Sequence, residues 1–182
     1  MTVYIALLRG VNVGGHNKLP MKELTELCAR RGLEDARTYI QSGNIVFRSS
    51  IPPSDIAASI HAGIAERFGF DIPVMVFDAD EWGRVLSACP YGALAAEDPA
   101  KVLVTLLDGK PAESQLEKLS GVVSGDEAFH LDGRALYLRL PQGAGRSKLA
   151  VRVAAANFKT PATTRNWRTM LKLEEMAQSL DG

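Results

Sequence analysis

The chain has 182 residues, 46% hydrophobic and 23% charged, with 21 Lys and Arg set against 21 Asp and Glu. That length and apolar content suffice for a buried core in one large domain or two small lobes, and the formal net charge of zero argues against broad nonspecific coating of nucleic acid. No run of 18 apolar residues exists and the first residues read as strand, not as a charged and then apolar leader, so a cytoplasmic protein with no membrane partner is expected. Cys28 and Cys89 lack CxxC spacing and read as reduced, structural thiols.

Taken in order, Val3 to Leu8 reads as a strand. A Gly-rich loop follows, and Pro20 opens an amphipathic helix to about Arg31 whose stripe is Met21, Leu24, Leu27 and Cys28. Arg37 to Gln41 and Ile45 to Arg48 form a hairpin around Ser42-Gly43-Asn44. Ser54 is expected to cap a helix carrying Ile56, Ile60, Ile64 and Phe68, before a short apolar strand from Val74 to Phe77. Asp78 caps a helix through Trp82, Val85 and Leu86, and Pro90 to Pro99 reads as a linker. A strand from Lys101 to Leu107, a helix from Glu113 to Leu119 and a hairpin of Ala128 to Leu131 with Ala135 to Leu140 around Asp132-Gly133 come next. Ser147 caps a helix from Lys148 to Asn157. Thr163 or Thr164 is expected to cap a last helix with the stripe Trp167, Met170, Leu171, Leu173, Met176 and Leu180.

The two halves echo each other: Tyr4-Ile5-Ala6-Leu7-Leu8-Arg9-Gly10 matches Leu103-Val104-Thr105-Leu106-Leu107-Asp108-Gly109, each followed by a helix and a hairpin. A duplicated split βαβ unit explains this, giving an α+β fold of two ferredoxin-like repeats, each an antiparallel sheet with helices on one face. The expected boundaries are residues 1–78 for the first repeat, 79–100 for a connecting helix and linker, and 101–182 for the second repeat with its C-terminal helix.

Charge patterning singles out a site. Residues 1–22, 36–54 and 141–173 contain Lys and Arg but no Asp or Glu. Within them lie four loops whose cations, bare N–H groups and short polar side chains suit an anion. The candidate ligand residues are Arg9, Asn12, Gly14, Gly15 and Lys18; Gln41, Ser42 and Asn44; Arg146, Ser147 and Lys148; and Thr164, Arg165 and Asn166. Arg146 and Lys148 stand at an expected helix start, where cations oppose the helix dipole and an anion would repay them. Arg165 is expected at the next helix start, facing the ligand. Arg9, Lys18, Arg146, Lys148 and Arg165 are expected to meet in one cleft.

Other chemistries find less support. Neither GxxxxGK[ST] nor GxGxxG occurs, and Ser42 lacks the GxSxG setting of a nucleophile. His16, His61 and His130 are too far apart for a zinc motif, and only His16 lies in a candidate loop. Asp78, Asp80 and Glu81 read as helix-start acids, and no carboxylate pair demands acid–base work. The sequence names no cofactor, no metal and no oligomeric state.

The stretches Ala6 to Gly15, Thr38 to Asn44, Gly145-Arg146-Ser147-Lys148 and Thr163-Thr164-Arg165-Asn166-Trp167 resemble, in the same order, the signature stretches of a widespread bacterial family catalogued as domain of unknown function 1697. Members commonly carry Asn after that Trp, where this chain has Arg168. The resemblance implies two related α+β repeats and no activity. The residues themselves favour binding of, or catalysis on, a small phosphorylated or nucleotide-like anion. An RNA-binding module is the alternative from a different class, and a structural or interaction protein without a small ligand is the third.

Overall fold

Strand β1 (Thr2–Leu8) is apolar on both faces: Tyr4, Ala6 and Leu8 enter one core cluster, while Val3, Ile5 and Leu7 are buried on the other side. A strand buried on both faces belongs at the centre of a sheet. In the computed structural model, which describes residues 1–181, β1 pairs antiparallel with both β3 (Asn44–Ser49) and β4 (Val74–Asp78), and β2 (Glu34–Tyr39) completes the order β2-β3-β1-β4. Helices α1 (Met21–Arg30) and α2 (Pro53–Phe68) cover one face with Leu24, Leu27 and Cys28 from the first and Ile56, Ile60 and Ile64 from the second. On the other face Trp82 of α3 (Ala79–Ser87) meets Phe77 edge-on, with ring centroids 5.7 Å apart. The Asp78 carboxylate caps α3 by accepting from Glu81 N at 2.6 Å.

The second half repeats this plan. After α4 (Gly92–Glu97), β5 (Val102–Leu107) is flanked by β7 (Ala135–Arg139) and β8 (Ala162–Asn166), with β6 (Ala128–Asp132) outermost, in the order β6-β7-β5-β8. Helices α5 (Glu113–Ser120) and α6 (Lys148–Ala155) pack Leu119, Leu149 and Val153 against Leu136, Leu138 and Leu140. The equivalence of the halves reaches single hydrogen bonds. Leu8 N donates to Gly43 O at 2.8 Å and Arg9 N to Pro73 O at 3.1 Å, as Leu107 N does to Arg134 O and Asp108 N to Pro161 O, both at 2.9 Å. The chain forms two units, Met1–Arg84 with the segment from Lys172 onward, and Val85–Leu171. Together they give the α+β fold of two ferredoxin-like repeats.

Four local expectations are corrected. Thr163 and Thr164 do not cap a helix: they lie in β8, opposite Leu106 and Thr105, because β-branched residues fit a pleated strand. The cap of α7 (Trp167–Asp181) is Asn166, whose Oδ1 accepts from Thr169 N at 2.8 Å. Ser54 lies inside α2, whose start is set by Pro52 at the cap position and Pro53 at the first helical one, where fixed φ and a missing N–H cost nothing. The stretch read as linker contains α4, and on α7 Leu171 is 47% exposed while Ala177 and Thr169 turn inward.

Candidate functional site

In the second unit a five-residue connection, 108–112, carries the chain from β5 to α5, whereas in the first the same step from β1 to α1 takes residues 9–20. The fold does not need that extra length. Loops of this kind in compact domains are usually either functional or structured in their own right, and this one is closed by asparagines. Asn12, at φ 55°, donates from Nδ2 to Leu19 O at 2.9 Å and to Gln41 O at 2.7 Å, while its Oδ1 accepts from Leu19 N at 2.9 Å. Asn17 Nδ2 donates to Gly10 O at 2.9 Å, and Asn12 N to Asn17 O at 3.1 Å. Arg9 and Lys18 are therefore held on the two legs of one neck.

The hairpin turn is built the same way. Asn44 is fully buried and donates from Nδ2 to Tyr39 O and to Ser42 Oγ, both at 2.9 Å. Asn12 and Asn44 thus hold the carbonyls on either side of Ile40, which sits at φ 50° and is 50% exposed. Positive φ in a β-branched residue is strained, so two amides keep a conformation the residue itself resists. The polar side chains of Asn12, Ser42 and Asn44 are used in building the loops. Arg9, Gly14, Gly15, His16, Lys18 and Gln41 are the exposed groups left for a ligand.

Replacing Asn12 by Ala is expected to lower stability by about 2 to 4 kcal/mol, because three hydrogen bonds are lost and Ala accepts φ 55° poorly. Urea unfolding measures this; a loss under about 0.5 kcal/mol would mean that the amide does not organise the loop.

In the second unit Ser147, only 3% exposed, caps α6 by accepting from Ala150 N at 2.9 Å, as its sequence position suggested. Arg146 and Lys148 beside it are exposed and line a groove of about 490 Å³ with Val122, Gly145, Val151, Arg152 and Ala155. Arg146 also borders a neighbouring hollow that contains Asp126 and Glu127. The remaining candidates are elsewhere in the unit. Thr164 Oγ1 bonds Thr105 Oγ1 at 2.7 Å across the strands, and Asn166 is the α7 cap. Arg165 is a strand residue, 8% exposed, donating from Nη1 to Thr163 Oγ1 at 2.7 Å and Thr164 O at 3.0 Å. The expectation of Arg165 at a helix start fails with the Thr cap, since the helix begins two residues later. Burial pulls its pKa down to about 10, still far above neutrality.

Ion pairing engages only some of the cations outside the candidate loops. Arg31 pairs with Glu66, Arg48 with Asp35, Arg67 with Glu23, Arg134 with Asp108 and Lys172 with Glu175. Among the described residues Arg9, Lys18, Arg146 and Lys148 have no carboxylate within ion-pair distance. Sequence reasoning missed Val122, Val151, Arg152 and Ala155 as groove residues, although Lys148, Val151, Arg152 and Ala155 fall at i, i+3, i+4 and i+7, the spacing of one helix stripe.

Burial pushes the Cys28 thiol up to about 12 and raises that of Cys89 as well. His61 is tied through Nδ1 to Ile72 O at 2.9 Å. Among the described residues no group of three His, Cys, Asp or Glu could hold a metal ion, and no helix is long and apolar enough to cross a membrane.

Comparison with solved structures finds a conserved bacterial protein from Streptococcus pneumoniae that is 23% identical, with a TM-score of 0.80 over 97% of this chain and 98% of that one. It shares the fold. No curated protein matches the chain. A family model described as "Protein of unknown function (DUF1697)" matches residues 1–137, three quarters of the chain and both signature loops of the first unit, and the chain belongs to that family.

Proposed function

We propose that this protein binds a small phosphorylated, nucleotide-like anion through its clustered cations and bare backbone N–H groups. The observation that carries the reading is that Arg9, Lys18, Arg146 and Lys148, exposed and without a carboxylate partner among the described residues, all lie in stretches of chain that hold no Asp or Glu. Unpaired cations on adjoining positions repel each other, and a phosphate removes that repulsion while accepting charge-assisted hydrogen bonds. Gly15, at φ 79°, has open space above the loop backbone where such an anion can approach, and Gly14 beside it, at φ 57°, faces only His16 Cδ2 at 3.9 Å. The same reading puts the protein in the cytoplasm, where its two free cysteines stay reduced.

RNA binding by stacking on a sheet surface is the second choice because the aromatic residues of the central strands, Tyr4, Phe47 and Tyr137, are buried. The test is a titration of nucleoside mono- and diphosphates, sugar phosphates and short RNAs against the wild type, the Arg9→Ala/Lys18→Ala double variant and the Arg146→Ala/Lys148→Ala double variant. One double variant is expected to lose about 2 to 4 kcal/mol of nucleotide affinity, the range for two charge-assisted bonds at a partly exposed site, and that loss names the unit that grips the phosphate. No binding of any phosphorylated compound, or equal binding by all three proteins, would remove the reading.

A further inference from the structure

The groove beside α6 contains more than a phosphate needs. Two of its cations, Arg146 and Lys148, lie at the start of the helix, but Arg152 belongs to its last turn and Val122 to the segment after α5, so the feature is a groove along the helix and not a helix end. Its aliphatic part is Val122, Val151 and Ala155. Val151 is 68% exposed although the opposite stripe of the same helix, Leu149 and Val153, is buried in the core.

Two of the outward residues, Lys148 and Val151, are poor choices for the helix alone. Lys148 stands at the positive end of the dipole, and Lys148 with Arg152 makes a like-charge pair at i, i+4. Val is a weaker helix former than Ala or Leu and gains nothing from packing when two-thirds exposed. Neither Lys148 nor Arg152 meets a carboxylate among the described residues. A stripe that costs helix stability at Lys148 and Val151, and combines cations with exposed aliphatic surface, suits a ligand with one end anionic and the other apolar. The volume of about 490 Å³ lies in the range of sites for small organic molecules and is far larger than a phosphate ion.

We infer that this groove takes an organic phosphate monoester with an aryl or nucleobase body, the phosphoryl group held by Arg146, Lys148 and Arg152 and the flat body laid on Val122, Val151 and Ala155. The inference rests on the anion-binding reading above and adds the class of ligand and the residues that select it. Arg152 supplies the third cation and covers part of the floor with its methylene stem.

The experiment is calorimetric titration of inorganic phosphate, phenyl phosphate and adenosine monophosphate into the wild type, Lys148→Ala, Arg152→Ala and Val151→Asp. Val151 is exposed, so the Asp variant folds, and circular dichroism checks that it does. Phenyl phosphate and adenosine monophosphate are expected to bind at least about tenfold more tightly than inorganic phosphate. Val151→Asp is expected to abolish that advantage, and Lys148→Ala and Arg152→Ala to weaken all three compounds. Inorganic phosphate binding as tightly as the esters, or an ester advantage that Val151→Asp leaves intact, overturns the inference while the anion reading stands. Failure of all three compounds to bind the groove overturns the inference and leaves the anion reading to the Arg9 and Lys18 loop, which the double variants above test. Preference for an acidic peptide over every ester in a competition run would also overturn it and make the stripe a protein-docking face.

Discussion

Replacing Gly43 by Val is expected to destabilise the protein by about 3 to 5 kcal/mol, the largest effect of any substitution in the first unit's loops. Gly43 sits at φ 74°, and a Cβ there would lie 2.7 Å from Leu8 Cβ and 2.7 Å from Val11 Cγ2. Neither neighbour can give way, since Leu8 is fully buried and Val11 is 2% exposed. The close approach exists because Gly43 O accepts from Leu8 N at 2.8 Å, which joins the hairpin turn to the end of β1. Left-handed backbone and a steric clash are separate costs for a β-branched residue, and they add. Gly14 is the control: its φ is 57°, but its nearest neighbour would be His16 Cδ2 at 3.9 Å, so Gly14→Ala is expected to cost about 1 kcal/mol from backbone strain alone. Midpoints of urea unfolding compare the two. Equal losses would mean that the contact with Leu8 and Val11 is not what makes Gly43 a glycine.

That comparison marks how far the sequence reaches. The Gly-rich loop and Gln41-Ser42-Gly43-Asn44 were recognisable as turns, and the repeat was recognisable from the echo of Tyr4–Gly10 in Leu103–Gly109. The structure aligns the same residues through paired backbone bonds. What could not be read was β8. Its inward positions are Thr163 and Arg165, so the alternation that signals a strand is one of polar residues, and hydrophobic periodicity is silent. A Thr before an apolar stripe then looks like a helix cap, although Asn166 is the residue that caps α7. Ser54 misled in the same way: a hydroxyl near a helix start is a common cap, and only the geometry of Pro52-Pro53 shows the helix beginning earlier.

The candidate site divides along a physical line. Asn12, Asn44, Ser147, Thr164 and Asn166 have the short polar side chains that bind ligands, and the same side chains satisfy backbone groups in turns, caps and strand pairs. Sequence cannot separate the two uses, and here the second accounts for their hydrogen bonds. Cations behave differently. A long charged side chain is seldom needed to close a turn, so the acid-free windows around Arg9, Lys18, Arg146 and Lys148 keep their meaning when each is found exposed and without a carboxylate among the described residues. A valine on a helix reads as core, and only the exposure of Val151 reveals otherwise.

Arg165 is the exception among the cations, and the expected result for it reverses what its sequence position suggests. A ligand-gripping arginine could be removed with stability unchanged or slightly raised. A strand residue 8% exposed, bonded to Thr163 Oγ1 and Thr164 O, cannot. Arg165→Ala is expected to cost about 3 kcal/mol, combining a cavity with the loss of hydrogen bonds to buried acceptors. Arg165→Met keeps most of the volume and removes the charge that burial disfavours, so it is expected to cost clearly less than Ala. Arg165→Lys keeps the charge without the planar fork and should fall between them. The depressed pKa of about 10 and the ordinary value both lie above neutrality, so the guanidinium is charged in the folded and unfolded states at pH 7. The unfolded chain holds the proton more tightly, so this residue's contribution to stability rises with pH only from about 10 upward and is flat from pH 6 to 8. Unfolding midpoints of the three variants at pH 7, with adenosine monophosphate titrations on the same samples, decide the matter. Unchanged affinity with the stability order Met, Lys, Ala makes Arg165 part of the sheet. Lost affinity with wild-type stability would return it to the ligand.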